Sequence, residues 1–158
     1  MSKIRELLAK EDTVVIFDID GVLAAYEYGE YNHNACRDEE WNDFVLNNNV
    51  YEKARPIKVL QEYIKKQGRG KVFVCSVAGR HERTQKSNFV MNNYEVDESH
   101  IYFVNSKSEK LDILKEVKQE FPNLKDLNIV MVDDTSDVLT NIQENSGFST
   151  AHISSFMD

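Results

Sequence analysis

The sequence lacks a long apolar run, and no stretch approaches the roughly 18 residues that a membrane-spanning helix needs. A transmembrane segment is therefore excluded, and residues 1–12 lack the apolar centre of a secretory signal. Glycine and proline are scarce, and no repeat, low-complexity tract or linker interrupts the chain. We therefore expect a single domain over residues 1–158, large enough for one proper core, and no membrane partner.

Cysteine and histidine are few, and neither is spaced as metal ligands are. Of the two cysteines, Cys36 and Cys75, the second lies inside the apolar run 72–77, as a buried reduced thiol does. We therefore expect a cytoplasmic protein. Positive charge is not in excess, because 19 Lys and Arg against 27 Asp and Glu give a formal net charge of −8. That balance argues against a broad contact with duplex nucleic acid but is compatible with a local basic groove.

The apolar runs that are present alternate with helical patterns, which is typical of an α/β fold. We expect a Rossmann-like three-layer sandwich around a mostly parallel five-stranded sheet, because each run is apolar throughout, as in a sheet covered on both faces. Right-handed crossovers then bring the carboxyl ends of all strands to one edge, where ligands bind. The strands are predicted at 13–19, 71–76, 101–104, 128–132 and 150–153, and the helices at 57–64, 82–93, 108–121 and 136–145.

The first strand carries the most informative residues. It runs into two carboxylates, Asp18 and Asp20, followed at once by Gly21. Alternate residues of a strand point to the same side, so the two carboxylates can face one place. Ionised acids at the end of a buried strand are costly unless a cation or a reaction requires them. The pattern indicates a metal-assisted phosphoryl-transfer site.

Other strands end in polar residues of matching chemistry. Ser76 ends the second strand, Asp133 and Asp134 end the fourth, and Lys107 and Lys110 precede or open the third long helix. In phosphoryl transfer, one carboxylate attacks phosphorus and a second acid moves the proton of the leaving oxygen. Carboxylates hold Mg²⁺, while a lysine and a hydroxyl bind the other phosphate oxygens.

In these residues the sequence resembles the haloacid dehalogenase superfamily of aspartate-nucleophile phosphatases. Residues 17–22 resemble its first motif, Ser76 its second, and the pair Asp133-Asp134 its acidic fourth motif. The lysine of the third motif is best matched by Lys110, with Lys107 as the alternative. The resemblance covers nearly the whole chain, with the motifs in the right order.

The resemblance implies a role for each of these residues. Asp18 is the nucleophile and a Mg²⁺ ligand, and Asp20 is the general acid and base, with its backbone carbonyl on the metal. Ser76 and Lys110 bind the phosphate group.

At the fourth motif, the resemblance makes Asp134 the metal ligand, while Asp133 takes the position of a family glycine and is a further candidate ligand. Asp137 either supports the metal site or is an acid at a helix N-terminus. Arg80 either contacts substrate or pairs with a local carboxylate.

A closer likeness points to a substrate class. Residues 37–44, 54–57 and 79–84 are similar to segments of the phosphatase domains of polynucleotide kinase-phosphatases, which implies a nucleotide or polynucleotide end as substrate and activity like that of a 3′-phosphatase. Two positions depart from that pattern, because Thr135 stands where the group has Arg, and Ile142-Gln143 where it has Trp-Arg.

The interval 24–54 has room only for a flap and a small helical insertion around 38–47, so no large cap covers the site. Tyr26, Tyr28 and Tyr31 in the flap would either stack on a base or pack within a hairpin. An open site suits a bulky phosphorylated substrate, or is closed by a neighbouring subunit in a homo-oligomer. Two alternatives stay open: a small-metabolite phosphatase completed by oligomerisation, and a non-catalytic binding module on the same fold.

Overall fold

The computed structural model describes residues 2–25, 38–40, 43–44, 47, 50–122 and 127–157. Five strands form one sheet in the order β5-β4-β1-β6-β7, and two short strands, β2 and β3, form a second. The strands are β1 (Thr13–Phe17), β2 (Ala24–Ala25), β3 (Arg55–Pro56), β4 (Val72–Val77), β5 (Ile101–Val104), β6 (Asn128–Asp133) and β7 (Ser149–His152). The helices are α1 (Lys3–Leu8), α2 (Val50–Lys53), α3 (Lys58–Gln67), α4 (Arg83–Tyr94), α5 (Lys110–Gln119) and α6 (Ser136–Asn145).

Every pairing in the five-stranded sheet is parallel, and β1 lies at its centre. In register, Val15 lies opposite Val72 of β4 on one side and Val130 of β6 on the other. All five residues of β1 are buried, as expected of a strand covered on both faces. The predicted α/β, Rossmann-like fold with a five-stranded sheet is therefore confirmed.

The sheet separates two hydrophobic cores because its side chains alternate between the faces. Val15 and Phe17 belong to the first core, which also contains buried residues of α1 to α4. Val14 and Ile16 belong to the second core, under α5 and α6. Cys75 is buried in the second core with a free thiol, as predicted, and burial raises the pKa of that thiol to about 12.

The first strand ends two residues earlier than predicted, and the reason is local. The Asp18 amide still donates to the Val132 carbonyl of β6. The next carbonyl, that of Ile19, instead accepts from the amides of Val22 and Ala24, 3.1 and 2.9 Å away. The chain therefore turns away from the sheet between the two candidate catalytic aspartates.

The small sheet closes the base of the interval 24–54. Ala24 pairs with Pro56 and Ala25 with Arg55 in antiparallel register, so the chain returns beside the turn that it left. The predicted flap with its three tyrosines and Cys36 lies outside the described residues. Of the predicted helix at 38–47, residues 38–40 form a 3₁₀ turn and residues 43–44 and 47 are helical, while the other four lie outside the described residues. Within the described ranges, no helix combines the length and the apolar character required to traverse a bilayer.

Candidate active site

Three neighbouring strands bring the predicted site residues to one edge of the sheet. Asp18 follows β1, Ser76 lies near the end of β4, and Asp133 is the last residue of β6. Since β4 and β6 flank β1 in parallel, their carboxyl ends meet around Asp18. The convergence that the sequence predicts is thus a consequence of the central position of β1.

Lys110 joins two of these carboxylates. Its Nζ lies 2.7 Å from Asp133 Oδ2 and 3.2 Å from Asp18 Oδ1. Lys110 begins α5 and is only 3% exposed, whereas Lys107 is exposed in the preceding 3₁₀ turn. Of the two lysines that the sequence left open, Lys110 is therefore the one beside Asp18.

Burial and neighbouring charge act in opposite directions on this pair. Burial raises the pKa of Asp18 to about 7, because desolvation and the nearby acids Asp133 and Asp20 outweigh the attraction of Lys110. Burial alone would lower the pKa of Lys110, but Asp18 and Asp133 raise it above its ordinary value. Lys110 is therefore charged at neutral pH. Its positive charge offsets only part of the cost of ionising the buried Asp18 carboxyl group.

The acids form a cluster of hard oxygen donors. Candidate ligand atoms of Asp18, Asp133 and Asp134 all lie within 4.8 Å of one another. The cluster fits Mg²⁺, which prefers a few carboxylates together with substrate and water oxygens. Desolvation, followed by the neighbouring Asp133, raises the pKa of Asp134, as expected of carboxyl groups that lie close together.

The acids of the cluster differ in their burial and in the groups that donate hydrogen bonds to them. Asp133 is fully buried, and its oxygens accept from Lys110 Nζ at 2.7 Å and from the Thr135 amide at 2.9 Å. Asp134 is exposed, and its Oδ1 accepts from the Thr135 hydroxyl at 3.2 Å. The geometry favours Asp18 and Asp134 as side-chain ligands, with Asp133 holding Lys110; a direct metal role for Asp133 stays a prediction.

Position 21 requires glycine, because any larger residue would clash with the Asp134 carboxylate. Its φ of +77° is one that side-chain-bearing residues rarely adopt, and a Cβ built there would lie 2.2 Å from Asp134 Oδ2. The glycine after the two aspartates thus leaves space for a carboxylate from the neighbouring strand.

Replacing Gly21 with alanine should therefore weaken Mg²⁺ binding. We expect the dissociation constant for Mg²⁺ to rise about 10- to 100-fold, the usual effect of disturbing a group that orients a metal ligand. Titration calorimetry with Mg²⁺ measures the same change directly. Gly70→Ala is the matched control, because no atom lies within 4 Å of a Cβ at Gly70. Equal Mg²⁺ affinities in the two variants would contradict this assignment.

Asp20 is held by two residues that were not identified from the sequence. Its Oδ1 accepts from the Tyr51 hydroxyl at 2.8 Å, and its Oδ2 accepts from Lys86 Nζ at 2.7 Å. The sequence does contain a signal for Lys86, because it shares the buried face of α4 with Phe89 and Val90 at helical spacing. A lysine in an apolar stripe of this kind requires an acidic partner.

The remaining predicted residues differ in their burial and in their contacts. Ser76 is buried, and its hydroxyl oxygen accepts from Lys86 at 3.1 Å. Arg80 is exposed in the turn after β4. Asp137 is exposed in the first turn of α6, where an acid also interacts favourably with the helix dipole. Of the four histidines, His81, His100 and His152 are not members of the acidic cluster found among the described residues, and His33 lies outside those residues.

Comparison with known proteins supports the fold. No protein-family model matches the sequence, and no curated protein matches it. Among solved structures, the chain is similar to part of DsGPDH of Dunaliella salina, with a TM-score of 0.57 and 16% identity over 94% of this chain. The chain spans about a quarter of that protein's length, 24%. At this identity the match shows a shared fold alone.

A second solved structure is the HAD domain of effector protein Lem4 from Legionella pneumophila. It aligns with 90% of this chain and 86% of its own, at 10% identity and a TM-score of 0.46. A TM-score below 0.5 is too low to support a conclusion about this chain. The chemistry of the site is therefore inferred from the geometry of its own residues.

Proposed function

We propose that this chain is a Mg²⁺-dependent phosphomonoester hydrolase of the haloacid dehalogenase type, with Asp18 as its nucleophile. The observation that carries the proposal is the contact of Asp18 with Lys110, 3.2 Å apart, inside a cluster that includes Asp133 and Asp134. A cation and several carboxylates around one buried acid suit the transfer of an anionic phosphoryl group.

In the first step, an Asp18 oxygen attacks phosphorus, and the bond between phosphorus and the leaving oxygen breaks. Asp20 gives its proton to that oxygen, so the alcohol leaves neutral and an aspartyl-phosphate remains. Lys110 and the Ser76 hydroxyl bind the other phosphoryl oxygens. Mg²⁺, held by Asp18, Asp134 and the Asp20 carbonyl, would neutralise part of their charge.

In the second step, Asp20 acts as the base. It accepts a proton from water, whose oxygen attacks the aspartyl-phosphate, and the bond between phosphorus and Asp18 breaks. Inorganic phosphate leaves, and both aspartates return to their starting protonation states. One residue thus serves both steps, as it must when the second step reverses the direction of proton transfer.

The proposal predicts that hydrolysis of p-nitrophenyl phosphate depends on Mg²⁺. Treatment with EDTA should lower the rate by at least about 100-fold, and added Mg²⁺ should restore it, because the charge on the phosphoryl oxygens then lacks a counter-ion. Ca²⁺ at equal concentration is the control, since it binds oxygen ligands without the octahedral preference of Mg²⁺. A rate unaffected by EDTA would contradict the proposal.

For the substrate, we propose a nucleotide or polynucleotide end. This is supported by the likeness of 79–84 to polynucleotide kinase-phosphatases and by the exposed cations Arg80 and Lys107 near the carboxyl edge of the sheet. The same assay with a 3′-phosphorylated oligonucleotide and with the matching free 3′-nucleotide separates the cases. A lower KM for the oligonucleotide that rises with salt supports a polynucleotide end. Equal KM values favour a small phosphorylated metabolite.

A further inference from the structure

Lys86 is a fully buried ammonium group, in contact with the candidate site but outside every motif of the sequence. Its residue is 1% exposed, on the inner face of α4. Its Nζ donates to Asp20 Oδ2 at 2.7 Å, the Val77 carbonyl at 2.8 Å and Ser76 Oγ at 3.1 Å. These three acceptors match the three N–H bonds of an ammonium group. The side chain is therefore fully satisfied and oriented, as a buried charge must be.

Further contacts keep this ammonium group in place. Glu82, one turn earlier on the chain, brings Oε1 to 3.8 Å from Lys86 Nζ, while its Oε2 accepts from the Gly79 amide at 2.7 Å. The Tyr51 ring centroid lies 5.8 Å from Nζ, within reach of a cation–π interaction. Lys86 thus connects the end of β4, the start of α4 and the α2 segment.

These contacts fix the orientation of the Asp20 carboxylate. Lys86 holds one oxygen and the Tyr51 hydroxyl holds the other, at 2.7 and 2.8 Å. The two donors belong to different elements, α4 and α2, so rotation of the carboxylate about its Cβ–Cγ bond would break both hydrogen bonds. A group that must deliver a proton to one leaving oxygen benefits from such restriction, because misplacement by about 1 Å can cost 100-fold in rate.

The same ammonium group directs the Ser76 hydroxyl. Because Ser76 Oγ accepts from Lys86, its own hydrogen must point elsewhere. The Ser76 hydroxyl donates a long hydrogen bond, 3.4 Å, to the Val77 carbonyl, which also accepts from Lys86 at 2.8 Å. In the proposed reaction, a phosphoryl oxygen at the edge of the sheet replaces the Val77 carbonyl as the acceptor of this hydrogen.

We propose that Lys86 is a positioning residue that sets the geometry of proton transfer by Asp20 and of phosphate binding by Ser76. It acts through these two residues and does not contact the substrate. The inference rests on the proposed function, because it assigns Lys86 to the leaving-group step of that reaction.

The test measures how the rate depends on the leaving group. A poor leaving group requires the proton from Asp20, whereas p-nitrophenolate leaves with little help. The substrates are p-nitrophenyl, phenyl and benzyl phosphate, and the quantity is kcat/KM, which includes only the steps up to the aspartyl-phosphate. For Lys86→Met, whose side chain has similar length without charge, we expect kcat/KM to fall at least about 10-fold further with benzyl than with p-nitrophenyl phosphate.

A second variant keeps the test decisive if Lys86→Met fails to fold. Tyr51→Phe keeps the ring and removes only the hydroxyl that donates to Asp20, so it should change the leaving-group dependence in the same direction by a smaller factor. Lys65→Met, an exposed lysine on α3, is the control and should leave all three values unchanged.

The outcomes separate the two proposals. A wild-type protein that hydrolyses none of the three esters overturns the proposed function and this inference with it. An active wild type with no loss, or an equal loss for all three esters, in Lys86→Met (or in Tyr51→Phe where Lys86→Met does not fold) overturns the positioning role alone. A loss that grows as the leaving group becomes poorer supports it.

Discussion

Replacing Asp18 with asparagine should abolish phosphate-ester hydrolysis and at the same time stabilise the metal-free protein. The amide keeps the shape of the side chain but cannot form the aspartyl-phosphate, so we expect kcat to fall by at least about 10⁴-fold, as for other lost nucleophiles. Acid-quench trapping of ³²P-labelled protein from a labelled substrate should detect a phosphoprotein in the wild type and none in the variant.

The gain in stability follows from the raised pKa of Asp18, about 7 against an ordinary 3.8. The folded protein holds this proton more tightly than the unfolded chain, so the stabilising contribution is complete below about pH 3.8 and is lost as the pH rises through 7. At pH 8 the charged form is destabilising, and asparagine removes that cost while Lys110 keeps Asp133 as its partner.

We therefore expect Asp18→Asn to raise the free energy of unfolding at pH 8 by about 1 kcal/mol, or the melting temperature by about 3 °C. The difference should shrink steadily towards pH 4. Differential scanning calorimetry in EDTA measures it. Asp12→Asn, at an exposed acid before β1, is the matched control. A variant that retains activity, or that is less stable than the wild type at pH 8, would contradict the assignment of Asp18.

Replacing Lys110 with methionine should have the opposite effect on stability. Asp18 and Asp133 would lose the cation that lies between them, and removing one partner of a buried ion pair costs about 3–5 kcal/mol. Urea unfolding at pH 8 measures this loss. The loss should diminish as the pH falls through about 7, the pKa of Asp18, because a protonated Asp18 no longer needs the cation.

Two controls test the cause. Lys115→Met, at an exposed position of the same helix, should change the free energy of unfolding by less than about 0.5 kcal/mol. The double variant Lys110→Met/Asp133→Asn should recover part of the stability, because it also removes Asp133, one of the two carboxylates that lose their cation. A double variant as unstable as the sum of its parts would argue that Lys110 acts through packing alone.

The strand ends that carry Asp18 and Asp133 could be predicted, because the sequence of each strand alone identifies it. The apolar run before Asp18 and the apolar run before Asp133 each identify a buried strand, and parallel topology then places both strand ends at one edge. The order of strands could not be predicted, since the adjacency of β1 to both β4 and β6 is set by long-range packing that leaves no local pattern.

The choice between Lys107 and Lys110 depended on where α5 begins. The sequence predicted a helix from 108, but a 3₁₀ turn over Lys107–Glu109 precedes it, so the α-helix starts at Lys110. Lys110 shares the buried face with Leu111, Leu114 and Val117, a pattern that periodicity alone could have revealed.

Tyr51 could not have been found this way. Tyr51 is 31 residues from Asp20 in the sequence. The two meet because β3, which follows Tyr51, pairs with β2, which follows Asp20. Such a contact depends on how an intervening segment returns to the sheet, which no short motif encodes.

The pairing of Ala24–Ala25 with Arg55–Pro56 has a consequence for how such a protein can diversify. Both ends of the intervening segment are fixed beside Asp20, so its length and composition can be exchanged with little change to the five-stranded sheet. Substitutions within that segment can therefore accumulate while the strands that position Asp18, Ser76 and Asp133 are preserved. Tyr51 lies within that segment and donates a hydrogen bond to Asp20, so a change at this position would also reach the proposed proton donor.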